Sequence, residues 1–271
     1  MAKPDFVLFG LSMLVVLPGC DSCSKENAGG AASVIDAGPP PAVKLDVSNP
    51  SPRAWTVNAD NLPAIAVDGA TVAILVQKED GTRMYPNATL EIRPVADDKV
   101  TSSVAILEAG PIVTAEGAPD AFDTTLPAYK KVAQGKADEA AALLAKTKWM
   151  ALEDKLASPP RGDAGAPALV EGGYVVQLRK TDKLALVVAR SADKDFTAPV
   201  LNVDASAFAV PTRKPPTPQK GDPSCVFTPY IAETSLDSAH KVLVVRIAQA
   251  VQDNVWGCFE PSQWHVYRFT S

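Results

Sequence analysis

The chain has 271 residues, of which 46% are hydrophobic and 21% are charged, so it can bury a core of ordinary size in one large or two small domains. Its formal net charge of −5 lacks the basic surplus of a nucleic-acid-binding protein, and we expect no nucleic-acid partner.

The first segment is a short apolar run, Phe6 to Leu17, preceded by the single lysine Lys3. A membrane-spanning helix needs roughly 20 apolar residues, so this run is too short to span a bilayer and is typical of a signal peptide. It ends in Leu17-Pro18-Gly19-Cys20, which resembles the bacterial lipobox. The resemblance implies a signal peptide over residues 1–19, cleavage before Cys20 and a lipid on its thiol. The alternative is an ordinary secretory peptide followed by a chance cysteine.

The same resemblance implies where the mature protein lies. We expect a cell-envelope lipoprotein, anchored by lipid to the inner or outer membrane and facing the periplasm or the exterior. The membrane is then its first partner, through the N-terminal lipid. Residues 20–54 are rich in Gly, Ala, Ser and Pro and cannot bury enough apolar surface to fold, which predicts a flexible tether. The globular domain is expected over residues 55–271.

A β pattern opens the globular part, over residues 62–113. Val72, Ile74 and Val76 alternate on one face, as in a half-buried strand. Asp68-Gly69 separates two apolar runs and indicates a turn.

Residues 127–157 change to a helical pattern of alanines and apolar residues at spacings of three and four. Gly135 is expected to mark a turn between two helices. The segment, which includes Trp149 and Leu152, is therefore predicted to be an inserted helical hairpin.

The β pattern then returns. Residues 174–178 and 184–188 are expected to pair as a hairpin, and residues 243–247 and 264–269 to form later strands. The predicted fold class is α+β, predominantly antiparallel β in two segments flanking the helical hairpin, with one disulfide.

A weak internal similarity links two β segments. Pro63 to Ala73 resembles the strand-turn-strand start of a WD40-like propeller blade, and Pro199 to Ala209 repeats its spacing with Ala205 in place of the glycine. Two matches do not make a propeller of four or more blades, so we interpret them as duplicated β-hairpins. The whole layout resembles uncharacterised predicted lipoproteins of myxobacterial type, a resemblance that implies no function.

The four cysteines fit an exported chain. With Cys20 lipidated and Cys23 in flexible sequence, Cys225 and Cys258 remain as a pair for a disulfide in an oxidising compartment. Two buried free thiols are the alternative. The Cys20-to-Cys23 spacing mimics a C-x-x-C metal motif, but no second pair has zinc-site spacing, and we expect no metal and no cofactor.

Aromatic residues crowd the end of the chain. Trp256, Phe259, Trp264 and Tyr267 form a candidate binding face, whose alternative is a core around the disulfide. Histidines His240 and His265 lie in no recognisable catalytic motif. Whether the protein is an enzyme is uncertain from sequence. We expect a noncatalytic domain that binds an envelope protein, peptide or glycan, and the alternative is an extracytoplasmic hydrolase with an unrecognised site.

Overall fold

The protein is described by a computed structural model that covers residues 43–48, 55–79, 86–108, 122–152, 173–180, 184–193, 195–204, 208, 224–251 and 261–270. The chain divides into a unit of residues 1–38, which lies outside the described residues, and a unit of residues 39–271.

Strands dominate the described residues, in agreement with the predicted β-rich character. In chain order they are β1 (Lys44–Ser48), β2 (Thr56–Asp60), β3 (Ala64–Ala66), β4 (Thr71–Glu79), β5 (Pro86–Pro94), β6 (Ser102–Leu107), β7 (Trp149–Ala151), β8 (Tyr174–Lys180), β9 (Leu184–Arg190), β10 (Leu201–Asp204), β11 (Phe227–Asp237), β12 (Val242–Val251) and β13 (Ser262–Arg268). The single helix of the described part is α1 (Phe122–Leu144), between β6 and β7.

The strands form four antiparallel sheets. These are the hairpin β1–β2, a five-stranded sheet in the order β6-β5-β4-β3-β7, and two three-stranded sheets in the orders β10-β9-β8 and β11-β12-β13. The expected hairpin of residues 174–178 and 184–188 is present as β8 and β9.

The sheets stack in layers. Helix α1 and the β1–β2 hairpin cover one face of the five-stranded sheet, with Trp55 buried among them. The β12–β13 part of a three-stranded sheet covers the other face. The opposite face of that same three-stranded sheet packs on β8, β9 and β10. The sheet β11-β12-β13 is therefore the middle layer, buried from both sides.

This position explains the continuous apolar run at the start of β12. Val242 and Val244 pack toward the five-stranded sheet, whereas Leu243 and Val245 pack toward the β8–β10 layer. All four side chains are fully buried. A strand covered on both faces has no polar side to alternate with, so it shows no period of two.

The predicted helical hairpin is wrong, because the described part contains one helix that continues through Gly135. Its buried stripe is Tyr129, Ala133, Ala137, Ala140 and Leu144. These spacings of three and four describe one uninterrupted helical face, which packs on the hydrophobic core. The packing of this face offsets the cost of a mid-helix glycine, about 1 kcal/mol relative to alanine.

The second half of the predicted hairpin is a strand instead. Helix α1 ends at Leu144, and β7 pairs with β3 through Trp149 opposite Ala66 and Met150 opposite Ile65. The indole Nε1 of Trp149 donates a hydrogen bond to the carbonyl oxygen of Leu144 and so satisfies an end group of the helix. Apolar side chains at spacings of three therefore did not continue the helix here.

The folded part also begins earlier than predicted. Strand β1 lies inside the range assigned to the tether and pairs with β2, with Val47 opposite Val57. Leu45 and Val47 are buried and alternate with exposed residues. This short period-two pattern was hidden by the Pro-rich residues on both sides of it.

Cys225 is the only cysteine among the described residues, so no cysteine pair at disulfide distance is found within them, and the described fold contains no complete disulfide. Cys225 itself is buried and is disulfide-bonded. Its predicted partner Cys258 lies outside the described residues.

Candidate functional site

Several residues singled out from the sequence lie outside the described residues, namely Cys20, Trp256, Cys258 and Phe259. The two described members of the candidate aromatic face are Trp264 and Tyr267, both on β13. Trp264 is 7% exposed and packs toward the five-stranded sheet, whereas Tyr267 packs toward the β8–β10 layer. Residues an odd number apart in a strand point to opposite faces, so these two rings do not form one surface.

Tyr267 is held in an apolar environment. Burial raises the pKa of its phenol to about 12, and the nearby charge of Asp98 adds to the shift. The ring of His265 stacks on it, with 5.9 Å between centroids.

His265 forms part of a polar cluster that joins β13 to the β5–β6 turn. Its Nδ1 lies 3.1 Å from Oδ2 of Asp98, and Oδ1 of Asp98 accepts the backbone N–H of Val266 and a bond from Arg93 Nη1, both at 2.9 Å. Arg93 Nη1 also donates to the carbonyl oxygen of Trp264 at 2.7 Å. Asp98 adopts a φ of 55°, which aims its carboxylate at β13. The cluster connects two layers of the fold.

His240 makes a similar pair with Asp237 in the β11–β12 turn. Its Nδ1 lies 2.7 Å from Oδ2 of Asp237, whose Oδ1 accepts the backbone N–H groups of Ala239 and His240. Burial raises the pKa of Asp237, but these hydrogen bonds outweigh burial and hold the pKa below its ordinary value.

Both histidines therefore have an orienting carboxylate, which is one part of a nucleophilic triad. The nucleophile of such a triad is not found among the described contacts of His265 and His240. Nε2 of His265 is buried without a hydrogen-bond partner among the described residues, and Phe208 packs edge-on to the ring at 5.2 Å. A base needs its free nitrogen within reach of a hydroxyl or a water. Among the described contacts, the Asp98–His265 pair joins the β5–β6 turn to β13, and the Asp237–His240 pair lies within the β11–β12 turn.

The candidate binding site is a cleft of about 290 Å³ between the five-stranded sheet and the middle layer. Its lining residues on the first side are Leu62, Pro63, Leu75 and Gln77. Neither His240 nor His265 lines it. Apolar side chains and polar groups both line the cleft, and polar atoms provide most of its exposed surface.

The other side of the cleft is a row of three side chains across three strands. Glu233 on β11 pairs with Arg246 on β12, which in turn pairs with Trp264 on β13. Nε of Arg246 donates to Oε1 of Glu233 at 2.8 Å, and Nη2 contacts the same oxygen. The pair is about one third exposed, so it adds little stability but presents a carboxylate and a guanidinium to the cleft.

Sequence reasoning missed this row, although one signal was present. Strand β12 reads Val-Leu-Val-Val-Arg-Ile, and Arg246 interrupts a run of residues that are buried on both faces. A charged residue inside such a run is expected to have a partner or a site. The identity of that partner depends on which residues the neighbouring strands place beside Arg246.

Within the described residues no group of three or more His, Cys, Asp or Glu side chains is arranged to hold a metal ion. The same residues contain no helix long and apolar enough to cross a membrane. No protein-family model, curated protein or solved structure matches the chain.

Proposed function

We propose that this protein is a lipid-anchored envelope protein whose folded part binds a partner without catalysis, through the cleft between Leu62 and Arg246. The anchor is proposed from the short apolar segment that ends in Leu17-Pro18-Gly19-Cys20. The observation that supports binding is the cleft itself, which combines apolar side chains, among them Leu62 and Trp264, with a mostly polar exposed surface and one partly exposed ion pair. Polar groups in a cleft fix the orientation of a ligand.

Lipid labelling tests the anchor. Growth with an alkyne fatty acid should label the wild-type protein, and Cys20→Ala should lose the label and remain unprocessed or enter the soluble fraction. Cys23→Ala is the matched control and should keep the label, because only Cys20 follows the small Gly19. Equal labelling of the Cys20→Ala variant would contradict the anchor.

Site-specific crosslinking in intact envelopes tests the binding site. A photoreactive amino acid at position 62 should crosslink to a partner, because Leu62 lines the cleft. The same probe at Val132, which is exposed on α1, serves as the control. Crosslinks of equal yield and identity from both positions would count against a specific site.

A further inference from the structure

Within the part of the chain that the structure describes, a stretch of sheet edge beside the cleft has no partner strand. Strand β4 runs from Thr71 to Glu79, but β3 covers only its beginning, with Ile65 opposite Val72 and Ala64 opposite Ala73. Beyond Ala73, β4 has β5 on one side and no strand among the described residues on the other.

The hydrogen-bond pattern shows which backbone groups face the open side. The N–H of Val95 donates to the carbonyl oxygen of Ala70, so even-numbered residues of β4 exchange hydrogen bonds with β5. Backbone groups alternate in direction along an antiparallel strand, and the odd-numbered residues therefore face the other way. The N–H and C=O groups of Leu75 and Gln77 point along the cleft, where no other described residue hydrogen-bonds to them.

The chain of β3 does not extend into this gap. In the register of β3, the position opposite Leu75 would belong to residue 62, but Leu62 lies before the first residue of β3 and lines the cleft. Asn61, with a φ of 64°, lies in the turn that joins β2 to β3. Gln77 reaches across with its side chain, and Nε2 donates to the carbonyl oxygen of Val57 at 3.3 Å.

We propose that the cleft binds a short extended peptide segment of a partner protein, which adds to β4 as a strand beside Leu75 and Gln77. The inference rests on the proposed binding function and names the ligand class. A strand offers donors and acceptors on one edge at intervals of two residues, about 6.6–6.8 Å, which matches the spacing of the open groups of Leu75 and Gln77. A glycan has no such repeat of paired donors and acceptors.

The charges of the cleft favour the same ligand. Glu233 and Arg246 neutralise each other, so the site has no net charge to attract an anion or a cation. A peptide group is neutral and has one donor and one acceptor. Its N–H can donate to the carboxylate, and its C=O can accept from the guanidinium. Trp264 adds an apolar surface for a side chain of the segment. The cleft volume, near the lower end for ligand sites, fits a short segment rather than a folded domain.

Backbone-modified peptides test the proposal on the full-length lipoprotein in detergent. The probes are end-capped heptapeptides that alternate Val with Thr, Lys, Glu or Ser, each measured by calorimetry. Two modified forms of each probe carry N-methyl groups on alternate backbone amides, one form along one edge of the strand and one form along the other edge. The side chains are the same in all forms. We expect methylation of one edge to weaken binding at least tenfold, as the loss of two backbone hydrogen bonds predicts at about 1 kcal/mol each. Less than threefold weakening by either modification would overturn the proposal.

Hydrogen exchange locates the contact. The amides of Leu75 and Gln77 should exchange at least tenfold more slowly with a bound probe, whereas the amides near Val132 should not change. If the amides of Leu75 and Gln77 already exchange slowly before any probe is added, the chain itself occupies the edge. That result would also overturn the proposal. Leu62→Trp, which fills the cleft, should abolish binding, and Val132→Trp should not. If Leu62→Trp unfolds the protein, Arg246→Met with Glu233→Gln replaces it and should weaken binding of the Lys- and Glu-containing probes.

The glycan tri-N-acetylglucosamine separates this inference from the proposed function. If this glycan binds at the cleft and no heptapeptide binds with a Kd below about 1 mM, the peptide proposal is wrong. The proposed binding function would then still hold. If a photoreactive amino acid at position 62 gives no crosslink specific to that position in intact envelopes, the proposed binding function itself is wrong.

Discussion

Gly69 lies directly against the imidazole ring of His240: a Cβ atom at position 69 would stand 2.3 Å from Cδ2 of that ring. The contact joins the β3–β4 turn to the β11–β12 turn. Nη2 of Arg268 adds a hydrogen bond to the carbonyl oxygen of Gly69 at 2.9 Å. The Asp-Gly turn, expected from sequence as a local feature, is therefore also a contact between two layers.

Gly69→Ala should destabilise the fold by about 2 kcal/mol or more. Its φ of +68° costs an L-residue roughly 1–2 kcal/mol, and the new methyl group collides with His240. Urea denaturation of the variant gives the change in unfolding free energy. In a double-mutant cycle with His240→Ala, the steric part of the loss should disappear. A change within 0.5 kcal/mol of wild type would contradict the close contact.

Gly135→Ala should have the opposite sign and stabilise the protein by about 0.5–1 kcal/mol. A Cβ atom at this helical position meets nothing within 4 Å, and alanine loses less backbone entropy than glycine in a helix. The same denaturation measurement makes it the matched control for Gly69→Ala. Destabilisation would indicate that α1 is interrupted at Gly135, as the sequence had suggested.

Asp98→Ala should destabilise the fold by about 2 kcal/mol, because it leaves the buried N–H of Val266 without its acceptor and removes one of the two carboxylates that pair with Arg93. Asp97→Ala is the neighbouring control. Asp97 forms an exposed ion pair with Lys99, which is expected to contribute less than about 1 kcal/mol. Thermal and urea unfolding of both variants should separate them clearly, and equal effects would refute the role of the cluster.

Tyr267→Phe should change the alkaline pH dependence of stability. The folded pKa of about 12 lies above the unfolded value of about 10, so the contribution of the neutral phenol is fully present below pH 10. It is lost as pH rises from 10 through 12. Wild-type protein should therefore lose more stability than Tyr267→Phe over this interval, measured by urea unfolding at successive pH values. Parallel pH profiles would show that Tyr267 is solvated.

The sequence by itself determined the local elements whose side chains alternate between a buried and an exposed face. Strands β4, β8 and β9 follow their period-two patterns, and the Asp68-Gly69 turn lies where the dipeptide predicts it. It also contains the apolar stripe of α1, which continues past Gly135. These features depend on neighbours along the chain, and a period is visible without knowing what covers it.

The binding cleft was decided only by the tertiary structure. Glu233, Arg246 and Trp264 lie on three consecutive strands and become neighbours because these strands pair in one register. The edge of β4 at Leu75 has no partner strand among the described residues because β3 begins only at Ala64, after the turn at Asn61 that follows β2. Arg93 meets the carbonyl oxygen of Trp264 across 171 residues, since layer stacking brings the two sheets together. Hydrogen bonds and packing between distant segments have no period along the chain, and only the fold reveals them.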